Sequence, residues 1–220
     1  AETEEVIALA KAAAKNKGVY ASHIRNEENQ AVEAVNEAIN IGKEASIPVQ
    51  ISHFKIGGRS NWGKSDITLN LVKEARENGW DVTIDQYPYT ASSTNLGIRL
   101  PDWAFAGGND SLKARLNNPL IRAQIKKEML AQLAGYKFPN YSYAVVANYP
   151  SDTSMNGKNI SEINKLMGRK AKAKYEAETI MDMVEKGGAQ MVYNSMNEAD
   201  VKNIMKHPCS MFGADAGVPV

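Results

Sequence analysis

Two Ser-His pairs constrain the fold of this chain more than any other feature of its sequence. Ser22-His23 and Ser52-His53 each follow a short run of residues that favour a strand. Their separation of about 30 residues is the length of one strand-plus-helix unit in a parallel α/β fold. We therefore expect the two pairs to close consecutive strands in the same register, with both imidazoles at one end of a parallel sheet.

The first 90 residues follow this rhythm throughout. Apolar residues at helical spacing alternate with strand-like runs, and Gly18 and Gly79 stand where helices are expected to end. The pattern predicts helices around residues 3–16, 32–39 and 67–75, and strands over residues 19–23, 49–53 and 82–85. Residues 1–90 are accordingly interpreted as barrel βα units. In a (β/α)8 barrel the chemistry takes place at the end of the sheet where the strands finish.

A change of rhythm after residue 90 predicts an insertion over residues 91–150. This stretch contains Pro101, Pro119 and Pro139, the pair Gly107-Gly108, a polar helix around residues 121–133 and a strand-like run at 143–147. It follows the strand that ends at Asp85 and is expected to stand apart from the barrel units.

The unit rhythm is predicted to return over residues 151–220. We expect a helix near residues 175–186, a strand over 190–193, a short helix around 201–205, and a last strand over 210–213 that leads to Asp215. The chain is therefore predicted to be an α/β protein that holds about half of a (β/α)8 TIM-type barrel, with a loop and helix insertion.

Composition excludes several classes of partner. Lys and Arg number 26 against 25 Asp and Glu, without a basic run that could follow a phosphate backbone, so nucleic acid is not expected. No stretch approaches the roughly 20 apolar residues that cross a membrane, so no membrane association is expected. The single Cys209 excludes an internal disulfide and favours the cytoplasm. Because the sequence opens without Met and stops at Val220 just past a strand-like run, we expect an internal piece of a longer protein.

His23 and His53 are the strongest candidates for chemistry. Neutral imidazole is a common zinc ligand, and two imidazoles from adjacent strand ends can converge on one ion. Zinc would still need a third protein ligand. The alternative is that each is a hydrogen-bonded histidine at a strand end.

Four more residues are placed to act at the same rim. Asp215 follows the last strand and could carry a proton between a water and a leaving amine, or it could cap a turn. Asp85 has the same placement, and a turn or cap is its favoured role. Lys55 could bind a substrate carboxylate as a point charge, or it could be a solvated loop lysine. Tyr87 either lines the same pocket or packs against the top of the barrel.

Four segments carry motifs that are specific in combination. They are Tyr20–Glu27, Ile51–Lys55, Asp85–Ala91 and Gly213–Ala216. Together they resemble the D-aminoacylase, or N-acyl-D-amino-acid deacylase, family of the amidohydrolase superfamily, over nearly the whole chain. The resemblance implies a distorted (β/α)8 barrel, of which this chain spans the second half, with residues 91–150 as the insertion.

The same resemblance assigns site residues. It implies that His23 and His53 are ligands of a tightly bound zinc and that Asp215 is the acid/base. It also implies that Lys55 and Tyr87 contact the carboxylate of an N-acyl-D-amino acid.

Parts of the family pattern are not found in this sequence. A His-x-His pair and a cysteine ligand would precede Ala1, and a substrate-binding arginine would follow Val220. Cys209 lies in the wrong place for the family cysteine. Beside the acid/base, the chain has Ala214 and Ala216 where the family often has Ser and Gly.

The sequence thus predicts a zinc-dependent hydrolase that converts N-acyl-D-amino acids to a carboxylate and a D-amino acid. The chain alone is expected to be weak or inactive unless a partner chain or self-association completes the barrel, because it supplies two of the ligands that zinc needs. Three alternatives remain open. They are another amidohydrolase acting on an N-acyl-D-glutamate or a cyclic amide, an inert barrel fragment, and a lyase that forms a Schiff base through Lys55.

Overall fold

The computed structural model describes residues 1–215, and within that range the chain alternates helices and strands. The strands are β1 (Tyr20–Ser22), β2 (Val49–Ile51), β3 (Val82–Gln86), β4 (Ser92–Asn95), β5 (Ala144–Asn148), β6 (Gln190–Tyr193) and β7 (Ser210–Phe212). The helices are α1 (Thr3–Ala14), α2 (Ala31–Ala45), α3 (Ser65–Glu77), α4 (Gly108–Asn117), α5 (Pro119–Gly135), α6 (Ile160–Leu166), α7 (Ala173–Glu185) and α8 (Glu198–Met205). No helix in this range is long and apolar enough to cross a membrane.

The chain divides into two compact units. The first consists of Ala1–Thr90 together with the chain from Met196 onwards, and the second is Ala91–Ser195.

A parallel sheet with the strand order β1-β2-β3-β7 forms the centre of the first unit. The helices α2 and α3 connect consecutive strands, as parallel pairing requires. This confirms the alternation of helix and strand predicted for residues 1–90. Among the described strands β1 and β7 are the two edges, so the sheet is open and does not close into a barrel.

The helix α2 packs closely on β2 because residue 42 is glycine. A Cβ atom at Gly42 would lie 2.1 Å from Cγ2 of Val49, so no larger residue fits without a shift of the strand. Apolar residues of the helices, such as Val35 and Val72, share one buried cluster with Ile51 of β2. This packing fixes the strand that leads to His53.

The second unit contains an antiparallel sheet with the strand order β4-β6-β5. Its core includes Ile125 and Met129 from α5, Ile180 from α7 and Met191 from β6, which are each at most 1% exposed. Every member of this buried cluster lies between Leu96 and Tyr193, so the unit has a hydrophobic core of its own.

The boundary and one strand differ from the prediction. We predicted an insertion that ends near residue 150 and a return to the barrel over residues 151–220, with Gln190–Tyr193 as a barrel strand. In the structure the second unit runs to Ser195, and β6 pairs antiparallel with β4 and β5. The reason is that Met191 and Tyr193 of β6 are buried in the core of the second unit. The later strand β7 does pair in parallel with β3.

Candidate metal site

Parallel pairing brings His23 and His53 to the same end of the sheet. Tyr20 of β1 pairs with Val49 of β2, so the two histidines, which follow these strands, lie next to each other. We predicted the same register for both Ser-His pairs, but Ser22 aligns with Ile51 and not with Ser52. His53 therefore lies one residue further along the chain than the position opposite His23. His53 adopts a φ of 39°, in the left-handed region, and the chain turns there.

The two imidazoles face each other at a short distance. Nδ1 of His23 lies 2.9 Å from Nε2 of His53, and the ring centroids are 4.7 Å apart in an edge-to-face arrangement. The side chain of His23 is 66% exposed, whereas that of His53 is 13% exposed. One ring nitrogen of each histidine is therefore directed at a common point that opens to solvent.

This pair of nitrogens fits a zinc ion. Tetrahedral zinc holds imidazole nitrogens at about 2.0–2.1 Å, which separates two of them by about 3.3 Å. The observed 2.9 Å therefore needs a shift of only a few tenths of an ångström. His23, Glu27 and His53 together have ligand atoms that all lie within 4.8 Å of one another.

Glu27 is a site residue for which sequence reasoning gave no role. Its Oε1 lies 2.8 Å from Nδ1 of His53, 2.5 Å from Nζ of Lys55 and 3.6 Å from Nδ1 of His23. Lys55 is buried, and its ammonium also donates to the carbonyl oxygen of His53 at 3.0 Å. Two signals were available in the sequence, since Glu27 stands four residues after His23 and ends one of the family-like segments.

The charges in this cluster shift one another's pKa values. Burial raises the pKa of Glu27, but hydrogen bonds and charge from His53 and Lys55 outweigh it, so the net pKa is lowered. Burial is the largest effect on His53 and lowers its pKa, but the hydrogen bond to Glu27 together with the charges of Glu27 and Asp215 outweighs it, so the net pKa is raised. For Lys55 burial dominates, and its pKa is lowered despite the nearby carboxylate.

Asp85 supports the turn at His53. Its Oδ1 accepts the backbone N–H of His53 at 2.7 Å, and its Oδ2 accepts Nε2 of Gln50 at 2.6 Å. Gly213 allows this arrangement, because a Cβ atom there would lie 3.0 Å from Oδ1 of Asp85. Asp85 thus holds a turn, but it is the turn after β2 and not, as expected, one that follows its own strand β3.

Tyr87 lies beside the cluster. Its side chain is 4% exposed, and Nζ of Lys55 lies 5.5 Å from the centre of its ring. Burial raises the pKa of Tyr87 well above its usual range, and the charges of Glu27 and Asp215 add to this effect. The hydroxyl therefore stays protonated at neutral pH.

Asp215 is exposed and has a left-handed φ of 49°. Its negative charge raises the pKa of His53, Lys55 and Tyr87, which brings it into the electrostatic range of the cluster. The tight exit expected at residues 216–217 lies outside the described residues.

Cys209 is buried, and its Sγ lies 2.9 Å from Nδ1 of His207. It is not among the residues that could hold a metal with the two histidines of the site. This agrees with leaving the family's cysteine role unassigned.

Comparison with known proteins places this geometry in context. No family model matches the chain. A D-aminoacylase of Alcaligenes xylosoxydans xylosoxydans is 29% identical over 219 residues, which is 100% of this chain and 36% of the relative. An N-acyl-D-glutamate deacylase of the same organism is 30% identical over 219 residues, with the same coverage. The chain is similar over its whole length to these two deacylases.

A solved structure supports the relationship. The N-acyl-D-glutamate deacylase of Bordetella bronchiseptica, in complex with zinc and a phosphonate inhibitor, matches with a TM-score of 0.70 and 27% identity. The match covers 98% of this chain and 36% of that protein. The resemblance noted from the sequence motifs is confirmed, and the chain spans about a third of the length of these D-aminoacylase relatives.

Proposed function

We propose that the protein to which this sequence belongs is a zinc-dependent hydrolase of N-acyl-D-amino acids. The observation that carries the proposal is the approach of Nδ1 of His23 to Nε2 of His53, 2.9 Å apart at the end of a parallel sheet. Buried Lys55 and Tyr87 lie alongside. The similarity to a D-aminoacylase and to an N-acyl-D-glutamate deacylase supports the same reaction.

His23 and His53 are the residues that would hold zinc. A zinc ion held there would polarise an amide carbonyl and lower the pKa of a water molecule. Catalytic zinc usually has three protein ligands, and these histidines supply two. We therefore expect weak or no activity from the chain by itself, and more when a partner chain or a second copy supplies the rest of the site.

The remaining site residues bind substrate and move a proton. Asp215 accepts a proton from the attacking water and returns it to the leaving nitrogen as the amide bond breaks, which balances the hydrolysis. The ammonium of Lys55 pairs with the substrate carboxylate, and the hydroxyl of Tyr87 donates to it. Lys55 already pairs with Glu27 at 2.5 Å, so a substrate carboxylate would share this ammonium.

The fold part of the proposal is a partial (β/α)8 barrel. It is supported by the parallel strands β1, β2, β3 and β7 and by the connections through α2 and α3. In such a barrel the histidines would occupy the end of the sheet where active sites are found.

Zinc content tests the metal part of the proposal. In the protein whose site is completed by a partner chain or a second copy, we expect about one zinc per chain after dialysis, and little in His53→Ala. His207→Ala is the matched control, because that histidine pairs with Cys209 and should leave the zinc content unchanged. Folded wild-type protein without zinc would contradict the proposal.

Hydrolysis of N-acetyl-D-amino acids tests the reaction. In the protein whose site is completed by a partner chain or a second copy, we expect release of the D-amino acid, no reaction with the L-enantiomer, and loss of activity in Asp215→Asn. Comparison of substrates with neutral and with acidic D-side chains tests the alternative of an N-acyl-D-glutamate deacylase. Assay of a cyclic amide tests the alternative of an amidohydrolase that acts on cyclic amides. Borohydride trapping of Lys55 with substrate would instead support the Schiff-base lyase.

A further inference from the structure

The carboxylate of Glu27 lies where the groups of the site meet. A single oxygen, Oε1, contacts Nδ1 of His53 at 2.8 Å and Nζ of Lys55 at 2.5 Å. The side chain of Glu27 is 18% exposed, so these contacts are formed largely away from water. One acceptor thus joins a candidate metal ligand to a candidate substrate-binding residue.

The contact fixes which nitrogen of His53 carries the proton. A carboxylate only accepts hydrogen bonds, so this contact is a hydrogen bond when Nδ1 of His53 carries the proton that faces Glu27. In the neutral ring the lone pair is then on Nε2, which is the nitrogen that faces His23 at 2.9 Å. A metal ligand needs that free lone pair.

The approach of Nζ of Lys55 to Nδ1 of His53, at 2.8 Å, permits the opposite tautomer. The ammonium, however, has two other acceptors, the carboxylate of Glu27 and the carbonyl of His53. In the opposite tautomer the lone pair of Nδ1 would face the carboxylate oxygen of Glu27 at 2.8 Å with no proton between them, which is repulsive. The Nδ1–H tautomer therefore prevails.

The backbone around Glu27 is held in place before any ligand binds. Its carbonyl oxygen accepts the N–H of Gly57 at 2.8 Å, which ties the loop after β1 to the loop after β2. The side chain of Asn26 accepts the backbone N–H groups of Glu28 and Gln30, at the start of α2. Glu27 is thus part of a rigid turn and not a free surface side chain.

We propose that Glu27 is a positioning residue, which holds Nδ1–H of His53 so that Nε2 faces the metal, and which anchors Lys55 through the same oxygen. The inference rests on the proposed function. Oε1 of Glu27 contacts Nδ1 of His53, whereas His23 contacts Nε2, the other nitrogen of the same ring. Because Oε1 also lies 3.6 Å from Nδ1 of His23, direct ligation is the competing role, and the cobalt experiment below separates the two. Carboxylates behind metal-bound histidines typically account for about 10–100-fold in metal affinity.

The tautomer of His53 can be measured without metal. Long-range nitrogen–proton correlation NMR reports the protonated nitrogen of each imidazole, and the chain has 3 histidines, which His23→Gln and His207→Gln variants would assign. We expect the Nδ1–H form of His53 in the wild type and its loss in Glu27→Ala. Glu27→Gln should keep part of it, because a carboxamide oxygen also accepts. An Nε2–H form in the wild type, or no change in Glu27→Ala, would overturn the inference.

Zinc titration against a competing chelator measures the consequence. We expect affinity to fall about 10–100-fold in Glu27→Ala and less in Glu27→Gln. Glu37→Gln is the matched control, because it removes a carboxylate that pairs with Arg25 and should leave affinity unchanged. Equal affinities in all variants would contradict the positioning role.

Cobalt substitution separates positioning from ligation. With saturating Co²⁺, the visible spectrum of Glu27→Ala should match that of the wild type, since the ligands are the same. A spectrum of altered coordination would make Glu27 a ligand and overturn the inference. If the wild type binds neither ion, the proposed function fails, and the tautomer measurement alone decides the role of Glu27. Should Glu27→Ala not fold, Glu27→Gln carries each comparison.

Discussion

His53 is held through its backbone as well as through its ring. Its φ of 39° is a conformation that residues other than glycine adopt at a cost, and the N–H at this turn is held by Asp85 at 2.7 Å. The second oxygen of the same carboxylate accepts from Gln50. A single side chain on β3 therefore determines how β2 ends and where its histidine is placed.

Replacement of Asp85 by Ala should be destabilising. It leaves the N–H of His53 without its acceptor in a partly buried position and removes the 2.6 Å hydrogen bond of Gln50, so we expect a loss of about 1–3 kcal/mol in the free energy of unfolding. Urea denaturation followed by circular dichroism measures it. The matched control is Asp81→Ala, whose carboxylate is 66% exposed and which should change stability by at most about 0.5 kcal/mol. Equal stability of the two variants would show that the turn at His53 does not depend on Asp85.

The contacts of individual residues were only partly predictable. His23, His53 and Lys55 were found because they follow strands, and the end of a strand is visible in sequence. Glu27 was missed because its partners His53 and Lys55 are remote in sequence, and only the parallel pairing of β1 and β2 brings them together. A carboxylate four residues after a histidine is common on any surface, so the spacing alone could not assign its role.

At the scale of elements, α3 begins with a cap from another helix. Its own preceding residue, Lys64, makes no side-chain capping bond. The carboxylate of Asp200 on α8 instead accepts the N–H of Gly63 at 2.7 Å and that of Ser65 at 3.2 Å. Asp200 is 3% exposed, so a helix far along the chain fixes the start of α3 in the first unit.

Loss of this cap should destabilise the first unit. For Asp200→Ala we expect about 1–3 kcal/mol, because two backbone donors lose a buried acceptor, and for Asp200→Asn a smaller loss. Thermal unfolding is a suitable measurement. Glu198→Ala on the same helix is the control, since Glu198 is 70% exposed and its replacement should change the melting temperature little. If both alanine variants melt alike, the cap from α8 does not stabilise α3.

A second link between elements depends on pH. Glu37 of α2 receives hydrogen bonds from Arg25 and from Thr3 of α1. The hydrogen bond from Arg25 lowers the pKa of Glu37 to about 2, against an opposing effect of burial. Because the folded pKa is below the unfolded one, the stabilisation is present above pH 4.5 and is lost as pH falls towards 2.

The comparison of wild type with Glu37→Gln isolates this contribution. We expect the variant to have the lower melting temperature at pH 6, and the difference to close as the pH falls from 4.5 to about 2. The ion pair is partly exposed, so added salt should also reduce the difference. A difference that is constant from pH 6 to pH 2 would exclude this link as a source of acid sensitivity.

Elements were predicted well where they repeat and poorly where they stand alone. The strands β1 to β3 follow a regular helix-strand alternation that fixes both their type and their neighbours. The strand β6 has the same local character, but four residues of alternation do not reveal which strands it pairs with. Its place in an antiparallel sheet follows from the core it enters, with Met191 and Tyr193 buried beside helices of the second unit.

For the whole molecule, the proposed site residues and the predicted insertion lie in different units. Each site residue, from His23 to Asp215, belongs to the first unit. The N–H of Met196 donates to the carbonyl oxygen of Thr90 at 3.2 Å, so the two points at which the first unit is interrupted are adjacent. The second unit likewise begins and ends together, because Ser92 pairs with Tyr193. When the two chain ends of each unit lie next to each other in this way, one domain can be inserted into the other.

We therefore expect the first unit to fold without the second. Replacement of residues 91–195 by about three Gly or Ser residues spans the gap between Thr90 and Met196, since each residue reaches about 3.3–3.6 Å. The shortened chain should unfold cooperatively and keep the Nδ1–H tautomer of His53, because Glu27 and Asp85 remain. Residues 91–195 expressed alone should also unfold cooperatively, since their buried cluster is self-contained. As a control, removal of α2 (residues 31–45) from the full chain should abolish folding of the first unit, because α2 contributes to its core. A shortened chain that is unfolded, next to a folded full chain, would mean that the two units are not independent and that the site needs both.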